Sequence, residues 1–215
     1  MANDARDRIL EACERVIARA GLRGFRMGDV AREAGVSIGL LPYHFGDRDG
    51  LLQAALDHVN ESAARRAAAL PAADAGSTAA GAGSAAHSTT PAPLAGERLA
   101  ALLCSEFGDD PQVRAGSTAW NELRAAAVFD ADRAAAVARS TADWQRAVRD
   151  LVREATRDGE PHTTAAADPD AAALILTALV EGLSGRWLTG QIAAVEAQEA
   201  VRTALRAQGL LVDIV

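Results

Sequence analysis

The chain has 215 residues and a mass of 22.3 kDa, length for one compact domain or two small ones. Hydrophobic residues make up 49% of it, much of that share alanine, while aromatic residues make up only 4%; strand formers are too scarce for a β-sandwich or barrel, and alanine favours helix. All 22 cationic residues are arginine against 29 acidic ones, giving a net charge of −7, which excludes a generally basic nucleic-acid coat and leaves only a local DNA-binding face.

Cys13 and Cys104 stand far apart with no CxxC and no metal-type spacing, which fits a reducing cytosol, no structural disulfide and no metal. No apolar targeting segment follows Met1, and the longest uncharged stretch, 75–96, is built of Gly, Ser, Thr, Pro and Ala and is too polar to span a membrane. These features predict a cytoplasmic protein without a membrane segment.

In chain order, Ile9, Cys13, Val16, Ile17 and Ala20 form the stripe of an amphipathic helix, with Asn3 or Asp4 as its cap and Gly21 as its end. Met27, Val30, Ala31 and Ala34 give a short second helix closed by Gly35. Ser37 is placed to cap a third helix running to about Phe45, and a fourth restarts at Asp47 with Leu51, Leu52, Ala55, Leu56 and Val59 as its buried face. Two short helices joined by a three-residue turn containing Gly35, with small Ala31 at the crossing, have the form of a helix-turn-helix. Val30, Val36 and Leu41 are spaced to pack inward, which leaves Ile38, Gly39, Leu40, Pro42, Tyr43 and His44 on or beside the outer face. Pro42 removes one backbone donor and bends the third helix unless its partner carbonyl lies in the cap.

Residues 71–96 contain hardly a large apolar side chain and read as a flexible or disordered linker loop. Helical segments follow at 97–107, 112–129, 131–156, 170–189 and 194–208, separated by Asp- and Pro-containing breaks. The predicted organisation is all-α: a three-helix helix-turn-helix head over 1–50, a connecting helix over 51–70, the linker over 71–96, and a C-terminal ligand-binding and dimerisation bundle over 97–215. The run Ala171–Val180 is apolar all round, and the next helix carries Ile192, Val195, Val201 and Leu205. A helix with no polar face is buried on more than one side, so this pair serves as core and as dimer interface, with Leu176, Leu179, Leu183, Trp187, Val195, Val201 and Leu205 as its contacts.

Enzyme chemistry finds no residue set to rest on. HExxH is absent, and two other motifs fit only literally: GVSIG at 35–39 matches GxSxG but lies in the turn between two short helices with no strand before it, and GAGSAA at 81–86 matches a dinucleotide fingerprint but lies mid-linker with no strand before it. His58, His87 and His162 are scattered and read as solvated. Glu122 beside Trp120, and Asp143 beside Trp144, would suit a cation held against aromatic faces.

The stretch Val30-Ala31, Ala34-Gly35-Val36-Ser37, Gly39, Leu41, His44-Phe45 and Arg48 resembles the TetR-like one-component transcriptional regulators, and residues 4–60 follow that pattern. More weakly, ALVEGLSGRWLTG at 178–190 is similar to the branch containing choline-responsive repressors. The resemblance implies a homodimeric repressor released from a palindromic double-stranded DNA operator by a small-molecule effector, with no cofactor. By position it implies DNA contacts from Ser37, Ile38, Gly39, Leu40, Pro42, Tyr43 and His44, with Arg48 on a phosphate. Arg26 lies where the family often caps the second helix, and Gly28 where it often carries a base-reading cation. It also implies an effector pocket drawing on Phe107, Trp120, Glu122, Phe129 and Trp144. Residues 1–60 hold eight Arg and nine acids, a net of −1, so DNA affinity rests on few phosphate contacts. That acidic head, with Gly28 and Pro42, keeps a second reading open: a ligand-binding or scaffold dimer whose head no longer reads DNA.

Overall fold

A computed structural model describes residues 2–69, 94–158 and 168–211. Among these the secondary structure is helical with no strand. The head comprises α1 (Ala2–Gly24), α2 (Met27–Ala34) and α3 (Leu40–Phe45), and α4 (Arg48–Ala69) leads out of it. The body comprises α5 (Ala95–Cys104), α6 (Pro111–Ala127), α7 (Ala131–Asp158), α8 (Pro169–Leu188) and α9 (Ala194–Ala207).

The breaks between body helices are their start signals. Asp110 accepts the Gln112 amide at 2.7 Å ahead of Pro111, Asp168 accepts the Asp170 amide at 3.1 Å ahead of Pro169, and Asp130 accepts the Arg133 amide at 3.1 Å. Each carboxylate satisfies a backbone donor that the first turn leaves over. The linker expected at 71–96 lies outside the described residues as far as 93, as do His87 and His162. At its C-terminal end the expectation fails: α5 begins at Ala95, and Ala95 and Gly96 are buried. A Cβ on Gly96 would stand 2.2 Å from the Leu210 carbonyl oxygen, so a residue that reads as linker is a close-packing point against the end of α9.

Two cores form. One unites α5, α7, α8 and α9 around Leu99, Leu103, Val148, Val152, Leu176, Val201 and Leu205. The other is the head core of Ile9, Leu10, Cys13, Ile17, Val30, Leu41, Leu51 and Leu56, and it takes in Ala119, Trp120 and Leu123 from α6. The head is therefore not a separate globule: one helix of the body completes its core. The five positions expected for the buried face of α4 are all buried.

The seam between head and body is also polar. α1 does not end at Gly21 but kinks there, at φ 63° and ψ 175°, and runs on to Gly24. The kink frees the Leu22 amide, which donates to Glu122 Oε2 of α6 at 3.0 Å, while the Leu22 carbonyl accepts from Arg48 Nη2 of α4 at 3.2 Å. A Cβ on Gly21 would lie 3.1 Å from that same Glu122 oxygen. Further along the seam His58 is buried rather than solvated, its Nε2 4.0 Å from Oε1 of the buried Glu14. The correction has a simple cause: His58 follows the apolar stripe of α4 onto the face that meets α1. Both cysteines are free and buried, and burial pushes both thiols up, so neither is a reactive thiolate.

α8 is long and apolar enough to cross a membrane by length and composition. One of its faces, through Ala173, Leu176, Val180 and Trp187, lies in the body core; the opposite face leaves Leu174 and Ile175 exposed.

Two outcomes follow from the seam. Gly21→Ala places a side chain in a glycine-only backbone region and against Glu122, and is expected to cost about 1–3 kcal/mol; thermal unfolding should show a lowered Tm, and an unchanged one contradicts the kink's role. Burial holds the His58 pKa below its ordinary 6.5, with Arg65 acting the same way and Asp7, Glu11 and Glu61 opposing. The unfolded chain then binds the proton more readily than the folded one. The stability this contributes is complete above about pH 6.5 and is lost as pH falls from there through the lower folded value. His58→Gln should flatten that loss in urea unfolding from neutral pH to about pH 5; parallel curves for wild type and variant contradict it.

Candidate nucleic-acid interface and effector cleft

The turn between α2 and α3 is set by Gly35, whose φ of 65° and ψ of 39° close α2 with its amide on the Ala31 and Arg32 carbonyls. α3 starts later than expected, at Leu40, and Ser37 does not cap it by its side chain; the Ser37 carbonyl instead accepts the Leu40 amide at 3.0 Å. Pro42 then occupies the first turn, where a backbone donor has no intrahelical partner, so it removes nothing the helix uses. Its own carbonyl accepts the Gly46 amide at 2.9 Å and closes the helix.

This geometry divides the expected contact residues. Ser37, Ile38, Gly39, Pro42 and Tyr43 are exposed together on one face, with Tyr43 at 80% and Ile38 at 58% exposure although both are large and apolar in body. Arg26 is exposed beside them, at the β-region residue preceding α2, and makes no side-chain cap. Gly28 is half-buried, and a Cβ there would be 3.9 Å from Ile38 Cδ1, so Ile38 lies over the position where a side chain would project. His44 is half-buried, its ring 5.1 Å from Tyr43 edge-on and 5.9 Å from Phe45.

Two residues depart from the expectation. Leu40 is half-buried against the head core, because it begins the first turn beside fully buried Leu41. Arg48 is occupied inside the chain: besides its bond to Leu22 its guanidinium lies 5.3 Å over the Phe25 ring. The family position that implies a phosphate contact here braces the head against itself.

The expected effector residues scatter. Phe107 is buried in the body core, edge-on to Trp187 at 5.9 Å, and Glu122 is committed to Leu22. Phe129 is 91% exposed, because α6 ends at Ala127 and leaves it in the turn before α7. Only Trp120 and Trp144 meet, across a narrow cleft between α4, α6, α7 and α8 that also takes in Val59, Glu106, Ser117, Val180, Glu181 and Ser184. Glu181 pairs with Arg124 at 2.9 Å, and burial raises its carboxyl pKa while Arg124 opposes. The Trp144 indole N–H is buried with no hydrogen-bond partner among the described residues. Glu106 and Glu181 eluded sequence reading because nothing local marks them; only the fold brings α5 and α8 to the two tryptophans. Among the described residues no His, Cys, Asp and Glu cluster could hold a metal ion.

The expected dimer contacts divide too. Leu176, Trp187, Val201 and Leu205 are buried within the chain's own core, a correction that follows from α8 and α9 each having one face against α5 and α7. Leu179 and Leu183 are half-buried and Val195 is 68% exposed. The outward face of α8 instead carries Leu174, Ala178 and Gly182, spaced one helical turn apart, with Ile175 beside them, and all four are exposed.

Comparison with known proteins agrees with this arrangement. Residues 9–55 match the model of bacterial regulatory proteins of the tetR family, and residues 95–209, more than half the chain, match that of the BetI-type transcriptional repressor C-terminal region. Over 54 residues, 25% of this chain and 28% of the relative, it is 43% identical to the HTH-type transcriptional regulator BetI of Burkholderia thailandensis, so the aligned stretch spans little more than a quarter of that curated relative. A crystal structure of a TetR-family transcriptional regulator from Rhodococcus sp. is 39% identical, superposes with a TM-score of 0.79, and aligns over 95% of this chain and 98% of that one. A transcriptional regulator from Saccharomonospora viridis, solved in complex with choline, shares the fold at 22% identity and TM-score 0.69 over 95% and 96% of the two chains. With a helix-turn-helix head and a BetI-type helical body matched across its length, the chain belongs to the tetR family of bacterial transcriptional regulators.

Proposed function

We propose that this regulator is a cytoplasmic homodimeric repressor, held on a palindromic operator by its two heads and released by a small organic cation. The observation that carries the DNA reading is the bare outer face of α3 and the turn before it. Tyr43 and Ile38 are large and exposed, a placement that costs solubility without a partner and suits apolar contact with thymine methyls in the major groove. Arg23 at the end of α1 and Arg26 just before α2 are both exposed and free to meet phosphates. The exposed stripe on α8, continued by Val195 of α9, supports a two-fold interface, and two-fold symmetry requires an operator with inverted half-sites.

The effector reading rests on the aromatic cleft. Two tryptophans with the Glu106 carboxylate and the Glu181 carboxylate, the latter shared with Arg124, suit a small cation, and the Trp144 N–H offers a donor to an oxygen on the same molecule. Choline, bound by the Saccharomonospora viridis regulator, has that chemistry. The cleft as it stands leaves about 20 Å³, room for a water molecule, so a cation binds better to a conformation in which α4 and α6 have parted. Those two helices also carry the head core, and this differential affinity is what shifts the population away from the DNA-competent dimer.

Tyr43→Ala is expected to weaken binding to the chain's own upstream DNA by about 10- to 100-fold, roughly 1–3 kcal/mol, with unchanged Tm. Fluorescence anisotropy against scrambled DNA checks this; equal binding to both DNAs by wild type favours the scaffold reading. Calorimetric titration with choline should give binding that Trp144→Ala and Glu181→Gln each weaken about tenfold. A protein that reads its operator yet gives no heat with choline responds to a different chemistry.

A further inference from the structure

The aromatic cleft is not the largest opening in the chain. A second cavity of about 390 Å³ lies between the start of α4, the end of α6 and the start of α7, and shares no lining residue with the first. That volume falls within the range of small-molecule sites, about 300–1,000 Å³, and far exceeds the roughly 30 Å³ of a water molecule. We infer that this cavity is a second ligand site, at the joint of head and body, for a small amphiphile with a short alkyl body and a single positive charge.

The alkyl part is set by the floor. Leu52, Leu56 and Leu123 line the cavity as the edge of the head core, 1–3% exposed, and half-buried Ala136 of α7 adds to that apolar side. The sign of the charge is set by the wall. Asp49, Asp130 and Asp132 line it against Arg133 and Arg139, a formal −1. Arg133 is already paired, 3.3 Å from Asp130 and 3.6 Å from Asp49, while Arg139 donates to the neutral Gln53 amide oxygen at 3.3 Å and keeps its charge. Asp132 has no ion-pair partner among the described residues and is exposed at the rim. With Arg133 shared between Asp130 and Asp49, the wall holds one carboxylate more than it has guanidinium groups, and Asp132 is the one a cation meets at the rim.

Occupancy of this site bears directly on the head. Its lining includes Asp49 and Leu123, the chain neighbours of Arg48 and Glu122, which hold the two sides of Leu22. The Asp49–Arg133 and Gln53–Arg139 contacts that border it are ties between α4 and α7. A molecule wedged between those ties acts on the same helices as an effector in the aromatic cleft, from the opposite end.

Calorimetric titration of the full chain without DNA tests this independently of operator binding. The probes are hexyltrimethylammonium, hexanoate and hexanol, which share the alkyl body and differ in charge. Hexyltrimethylammonium should bind at least about tenfold more tightly than the other two. Asp132→Lys, at the exposed rim, should remove most of that preference, and Ala136→Trp, which fills the cavity from α7, should abolish the binding event that persists in the Trp144→Ala background. Trp144→Ala and Glu181→Gln should leave a binding event intact. Equal or tighter binding of hexanoate overturns the proposal, as does binding of the cation that Asp132→Lys leaves unchanged and Trp144→Ala abolishes, or no binding of any probe at millimolar concentration.

Discussion

Leu22 is held on both sides of its backbone: its amide by the Glu122 carboxylate on α6, its carbonyl by the Arg48 guanidinium on α4. Everything the head does depends on this clamp. Hydrogen bonds with a charged partner, in a half-buried seam, are about twice as strong as neutral ones, and these two fix α1 to the helix that leaves the head and to a helix of the body at once. The clamp exists only because Gly21 takes a backbone conformation that breaks the helical bonding and frees the Leu22 amide. It also explains why the Arg48 guanidinium lies over Phe25 rather than projecting toward a partner molecule.

Because α6 contributes Ala119, Trp120 and Leu123 to the head core, the body and head are joined by packing as well as by the clamp. The same helix reaches the aromatic cleft through Ser117 and Trp120 and the larger cavity through Leu123. A change in α6 therefore has no soft linker in which to dissipate. Close-packed cores transmit small displacements instead of absorbing them, and here the displaced element ends on the residue that orients the reading head.

The fold was legible in the sequence wherever one local rule decided it. The stripe of Ile9, Cys13, Val16 and Ile17, the turn at Gly35, the face of Leu51 to Val59 and the Asp-Pro breaks are written in periodicity and backbone chemistry, and the structure places each accordingly. The bare face of Ile38, Pro42 and Tyr43 was equally readable, since a short helix with Leu41 inward must turn those residues outward. What could not be read is everything set by pairing between distant segments. Gly96 looks like linker until Leu210 is seen beside it, and His58 looks solvated until Glu14 is. Glu122 reads as a pocket carboxylate because Trp120 is two residues away, but residues i and i+2 of a helix point to opposite sides, and Glu122 faces α1 while Trp120 lines the cleft. For the same reason the apolar run of α8 could be read without revealing which of its two faces the chain keeps for its own core: Leu176 lies inward and Leu174 outward.

The most direct test of the clamp is the distance between the two heads of the proposed dimer, measured by pulsed electron resonance with a spin label on Tyr43→Cys. The native Cys13 and Cys104 are buried and their thiols held protonated, so only the introduced cysteine reacts. A single narrow distance distribution in the free protein, broadened when Glu122→Ala removes the acceptor of the Leu22 amide, is the expected result. A distribution that is already broad, or one that Glu122→Ala leaves unchanged, would show that the pose of the heads is set by something other than this seam.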